Sequence, residues 1–464
     1  MSRRTVIMGA GIAGLATAWK LLQERPDDEV VILEREGVIG GLAKSVDWNG
    51  YRLDLGPHRF HTEIPEIKEF VRSFCEEQMV KVKRSSRMWI NGRYIPYPIK
   101  ALPTFQALGP INSVTFGLSA LGVFIQGGEE AQSYEDYVSR YYGVKLYEAI
   151  FAPFARKVWG IEPNQIAAET ARVRLRGESI WHSLLDGLLS KQETYVAQFL
   201  YPKNGIGEIA EKFADEITQR GGRFCLNQDV SRLNLTESGV SEVIASGPDG
   251  ERSYPCDVVV STVPLPNLVD LIKAEESIKN AAESLNYRAI VLVYLMYDQK
   301  IPIEDTWLYY PEEDVQFTRV SVPDNFNPHK TYENKTCFCV EFTCDFDDET
   351  WNIAPEKLAE HAADVLHSSG LTPPQPSQVK AIHIKEGYPI YHTGYDGNLQ
   401  RVLNKISECK NVLTTGRQGL FRHNNIDQSI QMGLLAAEQL AQEAIHFEDW
   451  YQNTGRFNDY RIVD

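Results

Sequence analysis

Three glycines and one acid near the start of the chain have the spacing of a dinucleotide site. Gly9-Ala10-Gly11-Ile12-Ala13-Gly14 lies between an apolar run at residues 5–8 and a helical pattern at 12–23. In that setting Gly9 makes the tight turn, Gly11 lets the backbone approach a pyrophosphate, and Gly14 allows helix and strand to pack closely. The N–H groups at the helix start then face the phosphates. Glu34 follows a second apolar strand, 30–33, and stands twenty residues after Gly14. There a carboxylate accepts both ribose hydroxyls of an adenosine and repels a 2′-phosphate.

Two further groups choose between dinucleotides. Gly40-Gly41-Leu42 comes soon after Glu34; such a second glycine pair is characteristic of flavoproteins, where it holds the pyrophosphate and ribityl chain of FAD. Near the other end, Gly416-Arg417-Gln418-Gly419 leads to Asp427 and a last long helix expected over 428–445. A helix start there directs positive dipole at the N1–C2=O edge of a flavin. Asp427 either caps that helix or binds ribityl hydroxyls. Binding from two ends favours FAD over NAD.

Composition narrows the partners. Lys and Arg number 47 against 63 Asp and Glu in 464 residues, a formal charge of −16. Such a surface repels polyanions and argues against nucleic acid, while leaving room for a local basic pocket. The seven cysteines contain no C-x-x-C pair, and no metal site is expected. Cys337 and Cys339 read as core or edge residues. The first apolar run begins at Thr5, which leaves no space for a secretory signal and gives a cytoplasmic expectation. Residues 105–125 are apolar but contain Pro110, Asn112, Ser113 and Thr115. They read as a helix of an inserted region or a lipid-gathering lid rather than a stable membrane span.

The pattern of elements implies an α/β fold: a Rossmann-type FAD-binding domain with inserted mixed-sheet and helical substrate-binding regions. Residues 1–63 form the first part of the FAD domain, and 64–200 a mainly helical insertion with helices at 64–74 and 134–151 and a Pro-rich link at 94–98. Residues 201–285 return to the FAD domain. The mixed sheet occupies 286–395, with strands at 290–297, 306–310, 317–320, 336–343 and 381–385, and 396–464 complete the FAD domain.

Several segments carry a resemblance. Both ends of the cofactor site are similar to the flavoprotein superfamily of amine oxidases, protoporphyrinogen oxidases and UDP-galactopyranose mutases. Tyr94-Ile95-Pro96-Tyr97-Pro98, Lys157-Val158-Trp159, Trp307-Leu308-Tyr309-Tyr310-Pro311-Glu312, Phe317-Thr318-Arg319-Val320, Asn325-Phe326-Asn327-Pro328 and Gly387-Tyr388-Pro389-Ile390 resemble the mutase branch, especially its eukaryotic-type members. The resemblance implies isomerisation of a nucleotide- or lipid-diphosphate-linked sugar through N5 of reduced FAD, with NAD(P)H as a reductant. The alternative is an oxidoreductase, amine oxidase- or protoporphyrinogen oxidase-like, that oxidises or desaturates another small or isoprenoid substrate.

Site residues follow from this. His58, in Gly56-Pro57-His58-Arg59-Phe60-His61, matches a mutase histidine on the flavin loop and suits proton handling; otherwise it fixes that loop, the reading preferred for His61. Arg319 matches an arginine that reaches sugar and diphosphate, and a guanidinium among apolar neighbours requires an anion or an internal ion pair. Arg172 or Arg174 corresponds to a second arginine, with the register open between them. Trp307 and Tyr309 share one strand face, where they line a sugar-nucleotide cleft or belong to the core. Tyr388 matches a phosphate-binding tyrosine. His423 stands where the mutases have a second tyrosine, a departure that sets UDP-galactopyranose itself in doubt.

Overall fold

Valine, isoleucine and leucine run almost without interruption through Val6-Ile7-Met8, Val30-Val31-Ile32-Leu33 and Val258-Val259-Val260, as strands covered on both faces require. The computed structural model describes residues 2–97, 130–175, 198–327 and 334–462, so the stretch 105–125 lies outside the described residues. The chain forms two units, Met1–Met79 with Pro202–Asn286 and Gly394–Tyr460, and Val80–Tyr201 with Tyr287–Thr393 and Arg461–Asp464.

In the first unit five strands form a parallel sheet in the order Val412–Thr414, Val258–Ser261, Arg4–Met8, Glu29–Leu33, Arg223–Cys225. From Arg4–Met8 the chain first builds outward through Glu29–Leu33, and later returns to the opposite side at Val258–Ser261. The order therefore reverses at the carboxyl end of Arg4–Met8, the position at which such sheets open a crevice for a ligand. A separate three-stranded antiparallel sheet, Asp229–Thr236, Gly239–Gly247 and Gly250–Pro255, accounts for the charged hairpin region.

Helix Pro65–Cys75, which the change in composition groups with the insertion, belongs to this first unit. Phe70 and Phe74 close on Trp19 and Phe213, with ring centroids 5.2 Å apart for Trp19–Phe70 and 4.6 Å for Phe74–Phe213. The first stretch of this unit accordingly runs on to Met79.

The second unit carries a seven-stranded mixed sheet. Its order is Gln378–Pro389, Tyr287–Tyr297, Thr336–Cys344, Arg319–Ser321, Trp307–Tyr309, Ser86–Ile90, Arg93–Pro96. Alternation sorts the side chains into two faces. Val291, Val293, Val340, Phe342, Leu308 and Val320 pack with Leu358, Ala362 and Leu366 of helix Pro355–Ser368. Arg319, Glu341, Tyr309 and Trp307 take the other face.

Two local expectations are corrected here. The segment 94–98 is not simply a link, because Arg93–Pro96 pairs as an edge strand, where a proline without an N–H is tolerated. The helix expected over 134–151 is interrupted at Gly143, which adopts φ +84°: Tyr134–Tyr142 ends there, and a second helical run follows without a break through Val144–Leu146, a π-helical stretch Tyr147–Phe151 and Ala152–Trp159.

Lys157 of that helix donates to the carbonyls of Tyr310, at 2.7 Å, of Phe317, at 3.4 Å, and of Glu312. It thereby ties down the connection between the strands that bear Tyr309 and Arg319. Burial pushes the ammonium down to about 8, against the pull of the acids Asp314, Glu312 and Glu313. A lysine depressed in the fold holds fewer protons than in the unfolded chain between that value and about 10.4, so its contribution to stability rises with pH across that window. Denaturant titrations should show wild-type stability gaining on Lys157→Met from pH 8 to 10; a constant difference would contradict this.

Candidate functional site

The first unit builds a cofactor cradle from glycine backbones. Gly9 has φ +104°, and a Cβ there would lie 2.3 Å from the Thr262 hydroxyl. A Cβ on Gly14 would lie 2.3 Å from the Gly9 carbonyl, so this glycine sets the approach of helix Ile12–Glu24 to its strand. Gly11 differs: its missing side chain would meet only the Gly41 Cα, at 4.0 Å. Gly11 is also the N-cap of the helix and has no side-chain cap of its own. Its open face and the helix N–H groups beside it fit a pyrophosphate.

Glu34 is buried, with Oε2 accepting from the Ala10 N–H at 2.9 Å and Oε1 from the Glu36 N–H at 3.0 Å. Its carboxylate is held at the end of the strand by backbone donors. Gly40 donates to the Ala10 carbonyl at 2.8 Å, and Gly41-Leu42-Ala43 forms one short helical turn against Gly11. Ser45 and Asp54 fasten the neighbouring loop. The Ser45 hydroxyl donates to Asp54 at 2.6 Å, and the Ile206 and Gly207 N–H groups donate to Asp54 and Ser45. His58 lies beyond Gly56 in this region and is half-buried.

At the far end of the chain, Gly416 opens the short helix Gly416–Gly419, where a Cβ would lie 2.8 Å from that of Ala13. Arg417 does not extend away; it folds onto Asn424, donating to its carbonyl and, at 3.4 Å, to its side chain. The last long helix is Ile426–Ala441, and Asn425, not Asp427, caps it through a capping box with Gln428. The cap expectation for Asp427 is thereby corrected. Asp427 sits in the first turn, buried, and its Oδ1 has no hydrogen-bond partner among the described residues. Burial pushes its carboxyl up to about 6, opposed by a hydrogen bond with Thr62. A buried acceptor without a donor fits the hydroxyls of a ribityl chain. His423, in the loop before the cap, is buried, with 6% exposure. Burial and the Arg59 charge push His61 below its usual value.

The second unit answers the arginine question. Tyr309, Arg319 and Glu341 are cross-strand neighbours in one row. Arg319 donates to Glu341 Oε2 at 2.8 Å and to the Tyr388 hydroxyl at 3.4 Å. Burial opposes the guanidinium charge, but the Glu341 carboxylate outweighs it and holds Arg319 above its usual pKa. The arginine is therefore ion-paired internally, yet it keeps 21% side-chain exposure, and its Nε–H has no acceptor among the described residues.

The two candidate arginines are placed differently. Arg172 is exposed and pairs with Glu130 at 2.9 Å, away from this row. Arg174 turns inward, 5.1 Å from the Trp159 ring centroid and 5.8 Å from that of Tyr388. Trp307 is buried with Phe199 and Phe326, at centroid distances of 5.8 and 6.0 Å, and Tyr309 meets Tyr97 at 4.7 Å. Trp307 keeps 3% exposure within that packing.

Sequence reasoning missed Glu341 and the ring of Trp159 under Arg174. Glu341 was legible as the one acid within Thr336-Cys-Phe-Cys-Val-Glu-Phe-Thr-Cys344, since a buried strand tolerates a carboxylate only beside a cation. Cys337, Cys339 and Cys344 are buried, and burial pushes the Cys339 and Cys344 thiols up to about 12. Among the described residues no group of three His, Cys, Asp or Glu is placed to hold a metal. No helix among them is long and apolar enough to cross a membrane.

Fold and cradle define a flavoprotein with a Rossmann-type FAD core. Residues 12–391 match the family of flavin-containing amine oxidoreductases, and the chain belongs to that family. It is a flavin-dependent enzyme with FAD as cofactor. Among curated relatives, it is 24% identical over 319 residues to protoporphyrinogen oxidase 1 of Arabidopsis thaliana, covering 64% of this chain. The alignment spans 59% of that relative's length. A probable UDP-galactopyranose mutase of Klebsiella pneumoniae is 22% identical over 97% of both chains. The structure of a reduced UDP-galactopyranose mutase superposes with a TM-score of 0.83 at 21% identity over the whole of both chains, a likeness of fold.

Two outcomes test the cradle. Gly11→Ala should fold with near-normal stability but lose FAD through the purification, whereas Gly14→Ala should lose FAD and also about 1–3 kcal/mol of apoprotein stability; equal behaviour of the two would refute the division of roles. An acid raised in the fold is protonated there at pH values where the unfolded chain has ionised, so Asp427 withdraws stability as pH rises from about 4 to about 6. Apoprotein melting followed over that range should fall for wild type relative to Asp427→Asn.

Proposed function

We propose that the chain is an FAD-dependent oxidoreductase acting on a small molecule with an acidic group, and that this group is seated on Arg319. The observation that supports it is the Arg319 arrangement: a charged donor held rigidly by Glu341, partly exposed, with Tyr388 and Arg174 beside it. The Arg319 Nε–H, buried and without an acceptor among the described residues, suits an oxygen of a carboxylate or phosphate. Bound FAD supplies a hydride acceptor. Gly9, Gly11, Gly14, Glu34 and Asp427 would hold it, with Gly40, Gly41, Leu42, Gly416 and Arg417 shaping the walls. Arg319, Arg174 and Tyr388 orient the substrate, and Tyr309 and Trp307 back that face with apolar surface. His58 handles a proton on the loop after Tyr51–Asp54, and His423 is a further polar contact of the first unit.

A second reading is an isomerase acting on a phosphorylated, nucleotide- or lipid-linked sugar, with NAD(P)H as a source of reducing equivalents. Its support is the mutase relative that aligns along 97% of both chains. Here the substrate diphosphate, rather than a carboxylate, sits on the arginines. Anaerobic mixing separates the two. Oxidised holoenzyme bleached stoichiometrically by a substrate identifies the oxidoreductase; product isomer formed only by pre-reduced enzyme, with no net flavin oxidation, identifies the isomerase.

Arg319→Gln alone would leave Glu341 buried without its counter-charge, a loss of roughly 3–5 kcal/mol in stability. The paired variant Arg319→Gln with Glu341→Gln should recover the fold and retain FAD while kcat/KM falls roughly 100-fold, about 2.7 kcal/mol. Unimpaired turnover in the paired variant would remove Arg319 from the site.

A further inference from the structure

Arg84 stands just before the strand Ser86–Ile90 in the second unit. Its Nε–H donates to the Ser86 hydroxyl at 3.2 Å, and that hydroxyl donates to the Tyr97 carbonyl at 3.1 Å. The guanidinium carbon lies 5.3 Å from the Trp307 ring centroid and 5.5 Å from that of Tyr97. Both terminal nitrogens, Nη1 and Nη2, are buried and have no hydrogen-bond partner among the described residues.

The contrast with other inward-facing arginines is direct. Arg87 meets Asp305 at 2.5 Å, Arg288 meets Asp345, and Arg319 meets Glu341 at 2.8 Å. The nearby acid Asp305 is committed to Arg87, whose Nε–H donates to it as well. Aromatic faces stabilise a cation, but they do not accept the N–H bonds that lie in the guanidinium plane. Buried donors on a permanent charge are a condition that folded proteins ordinarily relieve with an acceptor. The paired edge formed by Nη1 and Nη2 matches the spacing of two oxygens on a carboxylate or phosphate.

The surroundings specify more than charge. Trp307 and Tyr309 lie on one face of their strand, the Tyr97 ring touches that of Tyr309 at 4.7 Å, and Tyr309 is in register with Arg319. Arg84 thus stands at one end of an aromatic strip and Arg319 at the other. We propose that Arg84 binds an oxyanion, carboxylate or phosphate, carried by a molecule whose apolar body rests against Trp307 and Tyr97. This adds a second acidic anchor to the proposed function and rests on that reading only for the choice of sheet face. Binding at Arg84 stands whether the enzyme proves to be an oxidoreductase or an isomerase.

Calorimetric titration of the FAD-containing protein with phenyl phosphate and with inorganic phosphate tests it without any turnover. Phenyl phosphate should bind wild type and the Arg319→Gln/Glu341→Gln variant, and should bind Arg84→Gln at least ~10-fold more weakly. Arg84→Lys, which keeps the charge and loses the two-pronged edge, should be weakened several-fold. Equal affinity in wild type and Arg84→Gln would overturn the proposal. Inorganic phosphate binding as tightly as phenyl phosphate would assign the place to a free ion and overturn the apolar body. Should the variants not fold, wild-type crystals soaked in 4-bromobenzoate decide: a bromine anomalous peak beside Trp307 supports the site, and its absence there refutes it.

Discussion

The first unit depends on how closely other backbone can approach residues 9–17. Around that segment the neighbours are repeatedly glycines: a Cβ on Gly41 would lie 3.1 Å from the Gly11 Cα, one on Gly416 2.8 Å from the Ala13 Cβ, and one on Gly433 2.4 Å from the Ala13 carbonyl. Helix Ile426–Ala441 can therefore lie directly on helix Ile12–Glu24, and the turn at Gly40 can pair with Gly11. The result is a helix start without a side-chain cap at the point where the parallel sheet reverses order, which is where an anionic dinucleotide is best stabilised. Most of these glycines serve packing, and Gly11 alone among the three of the opening motif keeps an open face.

The second unit is organised by a different constraint: positive charge turned inward must find negative charge. Register supplies Glu341 to Arg319 across one strand spacing, and Asp305 to Arg87. Pairing of this kind adds little net stability, because desolvation offsets attraction, but it makes the geometry intolerant of slippage. A one-residue shift would move Arg319 from the face it shares with Tyr309 into the aliphatic layer against helix Pro355–Ser368. Lys157 works in the same sense on the connecting segment, where its ammonium substitutes for absent backbone donors.

Membership of the flavin-containing amine oxidoreductases establishes the cofactor and the general chemistry, and leaves the substrate open. Relatives that share this architecture include porphyrinogen oxidases and sugar mutases. In this chain Arg319 and Arg174 both lie beside Tyr388, although the protein as a whole carries a formal charge of −16. The acid-bearing substrate proposed above is argued from that local arrangement and not from the bulk composition.

The sequence by itself determined the cofactor half. Gly9, Gly11, Gly14 and Glu34 are close in the chain, so a short strand–turn–helix–strand unit fixes their geometry through local conformation, and spacing suffices to read it. It also determined the mixed sheet, since strands such as Thr336–Cys344 and Tyr287–Tyr297 announce themselves by composition. Tertiary structure decided what depends on partners distant in sequence. It turned Arg174 toward Trp159 and Tyr388 and set Arg172 against Glu130. It gave Arg319 its counter-ion, moved the cap from Asp427 to Asn425, and placed helix Pro65–Cys75 with the first unit through contacts to Trp19 and Phe213. It left Nη1 and Nη2 of Arg84 beside two rings without an acceptor among the described residues. Each of these turns on which side chains meet across strands or between helices, and no local spacing encodes the energy of such encounters.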